Sequence, residues 1–206
     1  MISIVDYGMG NIRSVEKAFI KIGAKVRITS DRKVIEDSKA VVLPGVGAFK
    51  DCMKNLDDLN LLDSIRKSIQ RGKPYLGICL GLQILFAESE EFGLCNGMNI
   101  LSGKVVRFRF DATAHLKIPH MGWNTVALTR RPPIFDGIPD NSFFYFVHSY
   151  YVMPDEIGIT AGETDYGVNF VSMVWKDNVF ATQFHPEKSQ ELGLKLLKGF
   201  HNFVKK

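Results

Sequence analysis

Apolar residues in the first ninety positions follow two rhythms. Ile2–Val5, Ala40–Leu43 and Tyr75–Ile78 are short apolar runs of the kind that suit strands covered on both faces. Lys25–Thr29 reads as a further strand. Between these runs the apolar positions switch to helical spacing. Ile12, Val15, Ala18, Phe19 and Ile22 form one stripe, which Asn11 can cap and Gly23 stops. Asp31 can cap a short helix to about Asp37. Helical spacing then runs from about Phe49 to Gln70, with a break near Asn60 and an end at Gly72. After the Tyr75–Ile78 strand, Leu82, Leu85 and Phe86 return to helical spacing, with Gln83, Ala87 and Glu88 as compatible helix residues. This alternation predicts parallel strands with helices packed on both faces.

Past Glu91 the rhythm changes. Gly93–Gly103 is loop-like, Lys104–Phe110 alternates like a strand, and Asp111–Lys117 has no clear period. His120-Met121-Gly122-Trp123-Asn124 leads into a strand at Thr125–Leu128, and Arg130-Arg131-Pro132-Pro133 punctuates. Ser142–Val152 reads as one long aromatic and β-branched strand, followed by strands at Ile159–Thr164 and Phe170–Trp175. Asp177-Asn178 is a hairpin turn into Val179–Phe184. Ser189–Val204 closes the chain as an amphipathic helix, with Lys195 at the edge of its apolar stripe. The expected fold class is therefore α/β: a mostly parallel central sheet flanked by helices, with additional antiparallel strands in the C-terminal half. No repeat, low-complexity segment or linker divides it, so a single domain over 1–206 is expected.

Composition narrows the function. The 206 residues carry a formal charge of only +4, and the Lys and Arg residues are scattered, which disfavours nucleic-acid binding. The opening Met1-Ile2-Ser3-Ile4-Val5-Asp6 is no signal peptide, and no stretch reaches membrane-spanning length. Three cysteines, Cys52, Cys79 and Cys95, are too few and too odd in number for a disulfide framework. They predict reduced thiols and a cytoplasmic protein. The cysteines and histidines lack metal-ligand spacing, and no cofactor is expected. The loop Tyr7-Gly8-Met9-Gly10-Asn11 lacks the third glycine of a dinucleotide fingerprint.

One stretch carries chemistry. Gly77-Ile78-Cys79-Leu80-Gly81 stands between a strand and a helix and has the glycine spacing of a nucleophile elbow, with cysteine as the nucleophile. Glycines two residues to either side allow backbone to approach closely. The N-terminus of the following helix favours thiolate over thiol. A cysteine between glycines is also a common small buried residue, so the nucleophile reading needs a base. Of the five histidines, His201 falls within the last helix, His115 has nothing to orient it, and His148 reads as a core histidine. His120 lies in the stretch ahead of the Thr125–Leu128 strand. His185 ends an apolar strand and precedes Pro186-Glu187. Pro186 fixes the backbone and holds residue 185 extended, and period-two alternation then turns Glu187 back toward the His185 ring. Leu80 N–H is the natural oxyanion donor. Pro44-Gly45-Val46-Gly47 is either a simple turn or the source of a second donor.

Taken together, Gly77–Gln83, Pro44–Gly47 and His185-Pro186-Glu187 resemble the class I glutamine amidotransferases. Asp6–Asn11, Pro119–Asn124 and Phe146–Tyr150 are similar, more closely, to the glutaminase subunits of imidazole glycerol phosphate synthases. The resemblance spans essentially the whole chain. It implies a catalytic triad of Cys79, His185 and Glu187, with Leu80 and either Gly45 or Val46 at the oxyanion. Gln83, Glu91, Ser149 and Tyr150 would hold glutamine. It also implies a (β/α)8-barrel cyclase as heterodimer partner, met through a face that includes Asn11, Trp123, Tyr145 and Lys188. Trp123 and Tyr145 read equally well as core aromatics. Two rival functions remain at this point: the same glutaminase chemistry serving another synthase, such as a surface-sugar amidotransferase, and a non-catalytic thiol sensor on the same fold.

Overall fold

The computed structural model describes residues 1–111 and 115–205. Residues 112–114, inside the aperiodic Asp111–Lys117 stretch, lie outside the described residues. In chain order the elements are β1 (Ile2–Val5), α1 (Ile12–Lys21), β2 (Val26–Thr29), α2 (Arg32–Asp37), β3 (Ala40–Gly45), α3 (Phe49–Asp58), α4 (Leu62–Gln70), β4 (Tyr75–Cys79) and α5 (Leu80–Gln83). There follow β5 (Glu88–Ser89), β6 (Cys95–Asn96), β7 (Gly103–Arg107), β8 (His120–Leu128), β9 (Ser142–His148), β10 (Tyr150–Pro154), β11 (Thr160–Asp165), β12 (Asn169–Lys176), β13 (Val179–Thr182) and α6 (Gln190–Lys205).

The central sheet runs β2-β1-β3-β4-β13-β12-β10-β7-β5-β6. Its first five strands are mutually parallel, and β13 enters beside β4 with Thr182 opposite Ile78. From β12 onward the pairing of β12 with β13, β10 with β12 and β10 with β7 is antiparallel. A ribbon of β8 and β9 branches off through β11. Apolar side chains fill both faces of the sheet. Ile12, Val15 and Phe19 of α1 pack with Leu196, Leu197 and Phe200 of α6 on one side. Cys52 and Leu56 of α3 pack with Ile65 of α4 on the other. Two-sided burial explains why β1, β3 and β4 carry no polar alternation.

Several boundaries differ from the sequence expectation, each for a visible reason. The run Ser142–Val152 is two strands broken at Ser149, whose carbonyl accepts a hydrogen bond from Phe108 N–H. One half pairs with β8 and the other with β7 and β12. His120–Asn124 belongs to β8 rather than leading into it. The β3 strand continues through Pro44 and Gly45, which pair with Ile78 and Cys79. Proline is tolerated because the pairing of β3 with β1 has already stopped at Val42, so no donor is missed there. Asn11 precedes α1 without capping its backbone; its Oδ1 accepts the Ser14 hydroxyl at 2.8 Å. Asp31 does cap α2, accepting from Lys33 N and Val34 N.

The largest correction concerns the segment after the elbow. The expected helix through Glu88 is a single turn, α5. All residues from Leu80 to Phe86 are buried, so this segment has no polar face to turn to water. The carbonyls of Ile84, Leu85, Phe86 and Ala87 accept instead from N–H groups between Gly97 and Leu101. Gly97 is required for that approach, since a Cβ there would stand 2.2 Å from the Phe86 carbonyl oxygen.

Candidate active site

Cys79 ends β4 at the C-terminal edge of the parallel strands, where ligand sites of such sheets form. Its backbone has φ 55 and ψ −106, a sparsely populated conformation for a residue with a Cβ. The flanking glycines make it possible. A Cβ at Gly81 would lie 1.9 Å from the Leu43 carbonyl oxygen, and one at Gly77 would lie 2.3 Å from that of Gly81. Tyr75 Oη donates to the Gly81 carbonyl at 2.9 Å and ties the turn back to its own strand. Because α5 is one turn long, little macrodipole accumulates behind the sulfur. The electrostatics around Cys79 depend instead on the side chains nearby.

His185 is the nearest ionisable partner. It is 1% exposed, and its Nδ1 stands 2.8 Å from Glu187 Oε1. Sequence reasoning joined these two residues for the wrong reason. Pro186–Lys188 forms a 3-10 turn, not an extended strand, and it is this turn that brings the carboxylate back under the ring. Ser189 pins the turn: its hydroxyl donates to the His185 carbonyl at 2.7 Å and accepts from Tyr145 N–H at 3.0 Å. Burial pushes the His185 pKa down, but the Cys79 sulfur and the Glu187 carboxylate outweigh it and raise it to about 10. His185 Nε2 has no hydrogen-bond partner among the described residues, and Cys79 is among the groups that raise the ring's pKa. The arrangement is a thiol beside an imidazole that is oriented and polarised by a carboxylate, which suits nucleophilic attack followed by proton return.

The thiol opens into a cavity of about 420 Å³. Gln83, Glu91, Ser149 and Tyr150 all line it, as do Val46 and Leu80. The structure therefore brings the four expected glutamine-binding residues to one place. Gln83 Nε2 is already engaged, donating to the Tyr150 carbonyl at 3.0 Å and to Gln183 Oε1 at 3.1 Å. Glu91 Oε2 accepts from Phe49 N–H at 2.7 Å, and burial raises the carboxyl pKa against the pull of that bond. Gly45 lies beside Cys79 in register, too close to Leu80 and Tyr7 to carry a side chain. A larger groove of about 640 Å³ between α2 and α4 is lined by Asp31, Arg32, Glu36, Asp63 and Arg66. Neither cysteine nor histidine lines it, and its opposite charges offset one another.

Three of the four expected interface residues form a chain of contacts, of which Lys188 lines the cavity of Cys79. Trp123 and Tyr145 are cross-strand partners on the β8–β9 ribbon, with ring centroids 6.1 Å apart. Trp123 is 46% exposed, so it is not a core aromatic. Lys188 lines the cavity and places Nζ 5.7 Å from the Tyr145 ring centroid. Asn11 stands apart on the loop after β1, in a small hollow with Met9 and Arg13. Sequence reasoning missed Gln183, whose Nε2 donates to Cys79 Sγ at 3.5 Å. The available signal was a long polar amide next to Thr182 inside the otherwise apolar run Val179–Phe184.

Comparison with known proteins identifies the family. The family model described as Glutamine amidotransferase class-I matches residues 3–202. A protein of Syntrophotalea carbinolica named Imidazole glycerol phosphate synthase subunit HisH is 53% identical over 97% of this chain and 98% of its own. One of the same name from Geobacter metallireducens is 52% identical, over 97% of this chain and 96% of its own. Among solved structures, one described as a glutamine amidotransferase superposes with a TM-score of 0.76 over the full length of both chains; at 18% identity it speaks for the fold alone. With a cysteine elbow, a carboxylate-backed histidine and a family match over nearly its whole length, the chain belongs to the class I glutamine amidotransferases.

Proposed function

We propose that this chain is the glutaminase of an imidazole glycerol phosphate synthase, releasing ammonia from glutamine for a cyclase subunit in histidine biosynthesis. The observation that carries the mechanism is Cys79 on its strained elbow beside His185, whose Nδ1 is 2.8 Å from Glu187. Glutamine binds in the cavity with its side-chain amide over Sγ. Its α-ammonium faces the Glu91 carboxylate, and Gln83, Ser149 and Tyr150 frame the rest. The Cys79 thiolate attacks the amide carbon. Leu80 N–H, with backbone at Gly45 or Val46, receives the developing oxyanion. Protonated His185 gives its proton to the leaving nitrogen, and ammonia departs. His185 then takes a proton from water as water attacks the thioester, and glutamate leaves. Glu187 holds the ring through both transfers.

The cyclase partner is a (β/α)8 barrel in this reading, bound as a heterodimer in the cytoplasm. It docks on the rim formed by Trp123, Tyr145 and Lys188, with Asn11 at a second point. Exposed Trp123 beside Tyr145 suits an anchor for that interface. The relatives' names favour this synthase over a surface-sugar enzyme, and the assembled His185–Glu187 pair is unneeded in a thiol sensor. Among the described residues no helix is long and apolar enough to cross a membrane.

Glutamate release by the complex with its cyclase tests the reading. Cys79→Ser should abolish it while synthesis from added ammonium continues, since that half-reaction does not use the thiol. The isolated chain should hydrolyse glutamine slowly, and a ligand-bound cyclase should accelerate it at least ~100-fold, a coupling of about 3 kcal/mol. Substantial hydrolysis by Cys79→Ser would overturn the mechanism.

A further inference from the structure

The sheet register places one more side chain on the sulfur. The parallel pairing of β13 with β4 puts Thr182 opposite Ile78, so the next residue, Gln183, comes level with Cys79. Gln183 is completely buried, and its Nε2 donates to Sγ at 3.5 Å. Its amide has one possible orientation. Gln83, only 5% exposed, donates through Nε2 to both the Tyr150 carbonyl and Gln183 Oε1. A carbonyl oxygen can only accept, so Gln83 must present its NH₂ group there. Gln183 must therefore offer its oxygen to Gln83 and its NH₂ to the sulfur. A flipped Gln183 would set two NH₂ groups against each other inside the protein. Thiol S–H can donate weakly elsewhere, as to the Val147 carbonyl at 3.9 Å. A thiolate cannot donate, and accepts from an N–H far better than a thiol does.

We propose that Gln183 is a positioning residue for the nucleophile: its amide, locked by Gln83, holds Sγ and favours its thiolate form. This inference rests on the reading of Cys79 as nucleophile. The other ionisable groups around the sulfur are His185, with Glu187 behind it, and Tyr7. Those lining the same cavity are His148, Glu91, Tyr150 and Lys188.

The test is the pH profile of Cys79 alkylation by iodoacetamide in the full chain, with Cys52→Ala and Cys95→Ala removing the other thiols. Gln183→Met should shift the profile to higher pH and slow alkylation at pH 7 about tenfold. In the complex it should lower glutaminase kcat with little change in KM. Gln183→Glu, which places a carboxylate beside the sulfur, should shift the profile further. In the unsubstituted chain, the Gln183 side-chain amide resonances should move when Cys79 is alkylated, a measurement that needs no variant to fold. Unmoved resonances, or a native profile in a folded Gln183→Met, would overturn the assignment. If Cys79→Ser retained glutaminase activity, the underlying reading would fail instead, and the two failures would not be confused.

Discussion

His185 and His148 lie within a few residues of one cavity and are 1% and 6% exposed, yet their surroundings hold His148 neutral and let His185 keep a positive charge. His148 Nδ1 faces the Tyr150 carbonyl at 2.8 Å, and its Nε2 faces His120 Nδ1 at 2.9 Å. The carbonyl can only accept, so Nδ1 carries the proton and Nε2 accepts from His120. His120 Nε2 is then left to accept from the Asn124 amide at 3.3 Å. Each ring carries one proton and is neutral. Burial among Phe108, Phe146 and Phe170 pushes the His148 pKa down to about 3 and that of His120 to about 4. His185 meets a carboxylate where His148 meets a carbonyl, and a sulfur where His148 meets a neutral ring. Burial disfavours charge at both sites. Only the site with anionic partners overcomes it, so burial alone does not decide whether a histidine can transfer protons.

The strongest way to break this comparison is to remove each ring. His185→Ala should cut glutaminase kcat at least several hundred-fold, roughly 4 kcal/mol of transition-state stabilisation. His148→Gln should leave it within about tenfold. Equal rates for the native complex and His185→Ala would refute the assignment of roles. A milder change makes His185 resemble His148. Glu187→Gln removes the anionic partner but keeps the shape, and should cost about thirtyfold, near 2 kcal/mol. It should also move the loss of activity at high pH to lower pH, because the imidazolium would give up its proton more readily. A pH profile of kcat that stays put would show that Glu187 does not tune the ring.

The smallest effect concerns stability, where the two sites tilt in opposite directions. The neutral histidines have folded pKa values below the ordinary 6.5. They contribute stability above pH 6.5 that is lost as pH falls toward 4 and 3, at up to about 1.4 kcal/mol per pH unit for each proton refused. His185 has a raised value, so its contribution is complete below about 6.5 and is lost as pH rises through about 10. Urea unfolding from pH 7 down to 4 should therefore show a falling midpoint, with a shallower fall in His148→Gln. An unchanged slope in that variant would mean that His148 is already charged in the folded protein.

Local pattern alone determined much of this molecule. Buried runs marked β1, β3 and β4, helical stripes marked α1, α3 and α6, and the break at Asn60 separated α3 from α4, because each signal depends only on near neighbours in the chain. The elbow was legible for the same reason: glycine spacing around Cys79 is a local steric requirement. The resemblance that joined Cys79 to His185 and Glu187 also came from sequence. Tertiary structure alone decided where the chain's donors go. The helix expected after Cys79 shrinks to one turn because a segment fourteen residues or so downstream takes its carbonyls. Ser142–Val152 splits because its halves pair with different strands. Glu187 reaches His185 through a 3-10 turn pinned by Ser189. Gln183 meets the sulfur only because β13 lies parallel to β4, more than a hundred residues away in the chain. Hydrogen-bond partners at that separation are set by register between strands, and no periodicity within either strand encodes it.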